Sequence, residues 1–204
     1  MPVFENKEWT RLWYDEAADR ETPRVMLIGD SVTAGYTQAV NKYLDNRLRA
    51  DSVASSKALD HPAYMAEIDF FACEFGFDYR LIHFNNGLHG WHLSAEEYGK
   101  QLDAKVSWLL YHFPGAKLTL ATSTPVTVNG SPETLNAEKN AVVIARNEQM
   151  KAVARRYNLP VDDLYAAMAG RPEWRNADGF HYNEQGTDEQ GRLVADFIME
   201  QMKL

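Results

Sequence analysis

One cysteine, Cys73, stands among the 204 residues, so no intramolecular disulfide braces the chain, and the residue reads as a small buried hydrophobe. Cations are in deficit. The 21 Lys and Arg face 29 Asp and Glu, a formal net charge of −8, which is the wrong sign for neutralising phosphates and excludes nucleic acid as an expected partner. Apolar stretches such as Val25–Ile28 fall far short of the ~20 residues that a membrane span needs, so no membrane partner is expected either. Met1–Thr10 holds Glu5, Lys7 and Glu8 without an apolar core, unlike a secretory signal. Gly-x-Ser-x-Gly, Gly-x-Gly-x-x-Gly, His-Glu-x-x-His and phosphate-loop patterns are all missing, which removes the anchors of several common enzyme classes.

What remains is ordinary globular material, 45% hydrophobic and 25% charged. The length suggests one domain over residues 1–204, with 1–23 as an N-terminal extension packed on it. Strand-like and helix-like patterns alternate from residue 25 onward, the mark of an α/β fold. The strands expected are Arg24–Gly29, a nearly unbroken apolar run suited to burial on both faces, then Asp51–Ser55, Tyr79–Phe84, Lys117–Ala121 and Pro160–Leu164. Between them the spacing predicts helices over Tyr36–Leu48, His61–Phe75 and Glu133–Tyr157. Another opens at Ser94 with Glu97 as a capping box and runs to His112, and the last covers Gln185–Met202.

Loops at the C-terminal ends of such strands are where ligand chemistry collects. The first strand ends in Gly29-Asp30-Ser31-Val32, placing a serine at a helix N-terminus, where unpaired N–H groups stabilise an oxyanion. Ser31 can equally be a plain helix cap. A serine nucleophile needs a base, and His181 lies in Asp178-Gly179-Phe180-His181-Tyr182, where one loop can supply both an imidazole and the carboxylate that orients it. A third loop, Asn85-Asn86-Gly87-Leu88-His89-Gly90-Trp91-His92, offers side-chain amides that either donate to an oxyanion or make turn hydrogen bonds.

Taken together, Gly29-Asp30-Ser31-Val32, Asn86 after a central strand and Asp178-Gly179-Phe180-His181 resemble the SGNH (GDSL-type) hydrolases over about residues 24–203. The resemblance implies a flavodoxin-like three-layer α/β/α sandwich with a central parallel sheet of about five strands. It also implies a serine esterase acting without a cofactor on a small-molecule or carbohydrate ester. Ser31 is then the nucleophile, His181 the general base and acid, and Asp178 its orienting carboxylate. Ser31 N–H and the Asn86 side chain become oxyanion donors, and Asn147 with Asp163 falls in a late structural block. The sequence departs from the family twice. Phe84-Asn85-Asn86-Gly87 stands where Gly-x-Asn-Asp is usual, so register alone selects Asn86 over Asn85. No glycine occurs between Gly35 and Gly76 to supply the usual second-block N–H, which leaves Ser56 or Ser55 as the expected donor.

These departures keep a second reading open, a carbohydrate-binding or scaffold protein with an impaired site. A third is a metal-dependent hydrolase built on His83, His89 and His92, whose spacing matches no helical ligand pair; no metal is expected. Trp91, Phe180 and Tyr182, with Trp174, fall in the same loops and are expected to line a substrate pocket or to pack. Nothing resembles a long apolar lid, which favours short acyl groups.

Overall fold

The computed structural model describes residues 3–204; Met1 and Pro2 of the expected N-terminal extension lie outside the described residues. The apolar run Arg24–Gly29 forms β2, buried along its whole length, and the chain turns directly into α1 (Ser31–Leu44). Then follow β3 (Arg49–Ser55), α2 (Tyr64–Glu74), β4 (Tyr79–Phe84), α3 (Ala95–His112) and β5 (Lys117–Ala121). Past a hairpin of β6 (Thr127–Val128) and β7 (Ser131–Leu135) come α4 (Ala137–Tyr157), β8 (Val161–Asp162), α5 (Leu164–Met168) and α6 (Glu184–Met202).

Five strands run parallel in the order β3-β2-β4-β5-β8, so β2 and β4 sit side by side and the connections diverge between them. That is the flavodoxin-like order, in which the crevice at the switch point opens beyond the C-terminal ends of β2 and β4. The N-terminal segment does more than pack on the sheet. Thr10–Trp13 forms β1, an antiparallel edge strand with Thr10 opposite Ser55 and Trp13 opposite Ser52, giving a sheet of six strands.

Alternation along β2 builds both layers. Met26 and Ile28 join the core under α2, α3 and α4, while Val25 and Leu27 join the core under α1, α5 and α6. Among the described residues no helix is long and apolar enough to cross a membrane.

Where elements shift from expectation, capping chemistry explains the change. Asp30 caps α1 by accepting from Val32 N–H at 2.9 Å, so the helix begins at Ser31 and not at Tyr36. Asn129-Gly130 turns the chain, with Gly130 at φ +81, and converts the expected start of the long helix into the β6–β7 hairpin; Asn136 then caps α4. Asp163 caps α5 and ends β8 after two residues. Ser94 and Glu97 form the expected reciprocal capping box of α3. Cys73 is exposed, contrary to expectation, because the helical period of α2 turns Phe71 and Ala72 into the core and Cys73 out of it.

Candidate active site

Two loops from opposite ends of the chain meet above β2. Ser31 is the first residue of α1, where backbone N–H groups lack intrahelical partners. His181 Nε2 lies 2.7 Å from Ser31 Oγ, and His181 Nδ1 lies 2.7 Å from Asp178 Oδ2. A carboxylate only accepts, so Nδ1 carries the proton and donates it, leaving the Nε2 lone pair for the Ser31 hydroxyl. In this tautomer the imidazole can take the proton from Ser31.

The loop that carries the pair is itself a small hairpin. Asn176 N–H donates to His181 O at 3.0 Å, Asn183 N–H to Trp174 O at 2.9 Å, and Arg175 pairs with Tyr182. The β6–β7 hairpin clamps its tip, with Thr127 N–H donating to Gly179 O at 2.8 Å and Gly130 N–H to Ala177 O at 2.7 Å. Gly179 adopts φ +84, and a Cβ there would stand 2.4 Å from Thr127 O, so only glycine lets the two segments approach. Within the tip, Asp178 Oδ1 accepts from Phe180 N–H at 2.8 Å and His181 N–H at 2.9 Å. Partial burial pushes the Asp178 carboxyl up, but these bonds and the His181 imidazole outweigh it and hold the group below the ordinary carboxylate value. Asp30 behaves oppositely. Its complete burial beside Ser31 raises it, against the opposing influence of His89 and His181.

Beyond β4 the two asparagines separate. Asn85 is tied into the sheet, its backbone N–H on Ile28 O at 2.9 Å and its amide on Ala121 O at 2.7 Å. Asn86 reaches sideways instead, and its amide donates to Lys57 O at 2.9 Å in the β3–α2 loop. Tyr98 donates its hydroxyl to the Asn86 carbonyl. Asn147 is structural, bonding Ser123 through both ends of its amide.

Ser56 does not serve as expected. Its N–H donates to Trp9 O at 3.1 Å because β1 extends alongside β3, and its hydroxyl is held by Glu8 at 2.7 Å. Tyr182 is not at the site either. It is buried in the core under α1 and α6, with Arg175 donating to its hydroxyl at 2.7 Å. Trp91 and Phe180, by contrast, stand edge to face at 6.4 Å and wall a cavity of about 200 Å³ together with Glu5, Ser31, Leu88, His89 and His181. The three histidines weighed as metal ligands have three separate partners. His83 meets Asp162 at 3.0 Å in the core, His89 stands 3.4 Å from Glu5, and His92 meets Asp60 at 2.9 Å.

Arg146 escaped the sequence reading. It is the largest fully buried side chain, and its guanidinium donates to the carbonyls of Gly87, His89, Gly90 and Leu93 at 2.6–3.2 Å, between the rings of Trp91 and Tyr98. No carboxylate pairs with it among the described residues; carbonyl dipoles and aromatic faces balance its charge. The cation therefore sets the path of the loop that carries His89 and Trp91. Arg146→Leu strands several buried carbonyls, each costing about 1–3 kcal/mol, and so should lower stability by at least about 3 kcal/mol in urea unfolding. A loss below about 1 kcal/mol would show that the loop holds itself.

The sequence profile of the GDSL-like Lipase/Acylhydrolase family matches residues 75–188, a span that includes both the Asn86 loop and Asp178–His181. No curated protein matches the chain. Among solved structures, it is similar in fold to a carbohydrate acetylesterase from Sinorhizobium meliloti, with a TM-score of 0.67 at 14% identity, covering 88% of this chain and 100% of that one. An aryl esterase from M. smegmatis gives 0.67 at 13% identity, covering 88% and 99%. A lipase/acylhydrolase from Enterococcus faecalis gives 0.61 at 20% identity, covering 88% and 97%. With the profile spanning more than half of its length, the chain belongs to the GDSL-like lipase/acylhydrolase family and is a carboxylic ester hydrolase.

Proposed function

We propose that the protein hydrolyses short-chain carboxylic esters through an acyl-enzyme on Ser31. One observation carries this reading: the unbroken line from Ser31 Oγ through the His181 ring to Asp178, with 2.7 Å at each junction. Ser31 attacks the ester carbonyl as His181 Nε2 removes its proton, and His181 then returns that proton to the departing alcohol. Water activated by the same nitrogen attacks the acyl-enzyme, releases the carboxylic acid and restores Ser31, with Asp178 fixing the tautomer throughout. No cofactor enters these steps.

The developing oxyanion needs N–H donors. Ser31 N–H at the head of α1 and the second hydrogen of the Asn86 amide supply two. For the third, Ala58 replaces Ser56. Lys57 N–H is engaged by Ser55 Oγ at 3.2 Å, whereas Ala58 N–H has no protein acceptor among the described residues. Ala58 also belongs to the same short segment that Asn86 grips through Lys57 O. The cavity of about 200 Å³, walled by Leu88, Trp91 and Phe180, suits a short acyl group. The fold neighbours include an enzyme of carbohydrate acetates, which supports O-acetyl groups on carbohydrates as a substrate class.

Stopped-flow hydrolysis of p-nitrophenyl acetate tests the reading, with a burst of nitrophenol equal to the enzyme concentration as the expected result. Asn86→Ala should slow the burst by on the order of 10² to 10³, the effect of one lost oxyanion donor. Asn85→Ala should act mainly on stability, since its amide ties β4 to β5. No burst from the wild type together with no phosphonate labelling of Ser31 would overturn the mechanism, and the larger rate loss in Asn85→Ala would overturn the donor.

A further inference from the structure

The cavity at Ser31 has a neighbour across Glu5 and Trp91. A second cavity, of about 180 Å³, lies beside it, and Glu5 and Trp91 wall both. Each is smaller than a typical small-ligand pocket of about 300–1,000 Å³, so a ligand of that size would draw on both. The second one exists because the N-terminal segment, anchored by β1, lies against the 85–93 loop and contributes Phe4, Glu5 and Glu8 to its lining.

Both carboxylates are held in place. Glu5 Oε1 accepts from Gly90 N–H at 3.1 Å and stands 3.4 Å from His89 Nδ1, while Glu5 Oε2 has no donor among the described residues. Glu8 accepts from Glu5 N–H at 2.9 Å and from the Ser56 hydroxyl at 2.7 Å. A carboxylate has about four acceptor positions, so each retains capacity for a ligand's hydroxyls. Gly90, at φ +64, completes the wall where a Cβ would stand 2.5 Å from the Ala58 Cβ.

The lining selects a ligand class. Fixed carboxylates reject an anion. A cation is disfavoured as well, because Trp91 already faces the Arg146 guanidinium at 5.4 Å and the Lys139 ammonium at 5.3 Å. What suits acceptors in a cavity that Phe4 and Trp91 also line is a neutral ring with apolar faces and hydroxyls on its rim. Hydroxyls belong to the alcohol half of such an ester, and the apolar cavity at Ser31 receives the acyl half.

Resting on the acyl-enzyme reading above, we propose that this second cavity is the subsite for the alcohol half of the ester, a neutral polyhydroxyl ring such as a monosaccharide unit, with Glu5 accepting hydrogen bonds from its hydroxyls.

The test compares kcat/KM for a monoacetylated methyl glucoside, p-nitrophenyl acetate and acetylcholine in the wild type, Glu5→Ala and Glu5→Gln. The wild type should prefer the sugar acetate to acetylcholine. Glu5→Ala should lose at least tenfold more on the sugar acetate than on p-nitrophenyl acetate, mostly through KM, and Glu5→Gln, which keeps an acceptor oxygen, should recover much of that loss. Unesterified methyl glucoside should inhibit the wild type competitively, a readout that needs no variant. Equal losses on both acetates would reduce Glu5 to a brace for Gly90 and overturn the proposal, as would absent competition by methyl glucoside or a preference for acetylcholine. Failure of an organophosphonate to label wild-type Ser31 would instead strike the acyl-enzyme reading itself.

Discussion

Replacing Ser31 with alanine should lower kcat for p-nitrophenyl acetate by on the order of 10⁶, the scale of a lost serine nucleophile, and abolish labelling by an organophosphonate. The fold should survive, since the helix cap is Asp30, whose carboxylate holds Val32 N–H, and among the described residues the Ser31 side chain bonds only His181. Stability should therefore change by less than about 1 kcal/mol, whereas loss of a true N-cap costs about 0.5–2 kcal/mol. The two measurements separate the alternatives that the sequence leaves open at this position. A variant that keeps its activity, or one that unfolds while the wild type neither takes up the phosphonate nor shows a burst, would return Ser31 to the role of a structural helix residue.

That ambiguity illustrates which parts of the molecule the sequence discloses. The apolar run at Arg24–Gly29 dictates a buried parallel strand, and Ser94 with Glu97 dictates a helix start, because both signals are local and strong. The meeting of Ser31 with His181 is legible through motif resemblance, since no local rule joins residues 150 positions apart. The hairpin of β6 and β7 is hidden by a run that also suits a helix start, and only the Asn129-Gly130 turn and the Asn136 cap separate the two.

The misassignments at the site share one cause, competition by partners distant in sequence. Ser56 has the right chemistry and the right neighbourhood, yet β1 takes its N–H through Trp9 O. Tyr182 follows the histidine, but strand-like alternation in the 174–183 hairpin turns it inward to Arg175 while His181 faces Ser31. Arg146 is the reverse case. A lone arginine on a helix reads as surface, and its burial depends on four carbonyls from a loop more than fifty residues away.

Asp178→Asn should lower kcat by on the order of 10⁴ with the fold unchanged, through the tautomer of His181. In the wild type, Oδ1 accepts two backbone N–H bonds and Oδ2 accepts the Nδ1 proton. An asparagine keeps its single oxygen on the two backbone donors, which turns its NH₂ toward Nδ1. Nδ1 must then accept, the ring proton moves to Nε2, and Nε2 can no longer receive the Ser31 proton. Backbone bonds hold the tip in both forms, so the loss should appear chiefly in kcat and in the phosphonate labelling rate, with only a small fall in the unfolding midpoint. The wild-type carboxyl, held below its ordinary value, gives a stabilising contribution that is present above the unfolded-state pKa of about 3.9 and lost only as pH falls through the lowered folded value. Wild-type activity at pH 5 is accordingly not limited by protonation of Asp178. A fall in kcat of less than about tenfold would mean that some other group fixes the imidazole, and Asp178 would lose its assigned place in the relay.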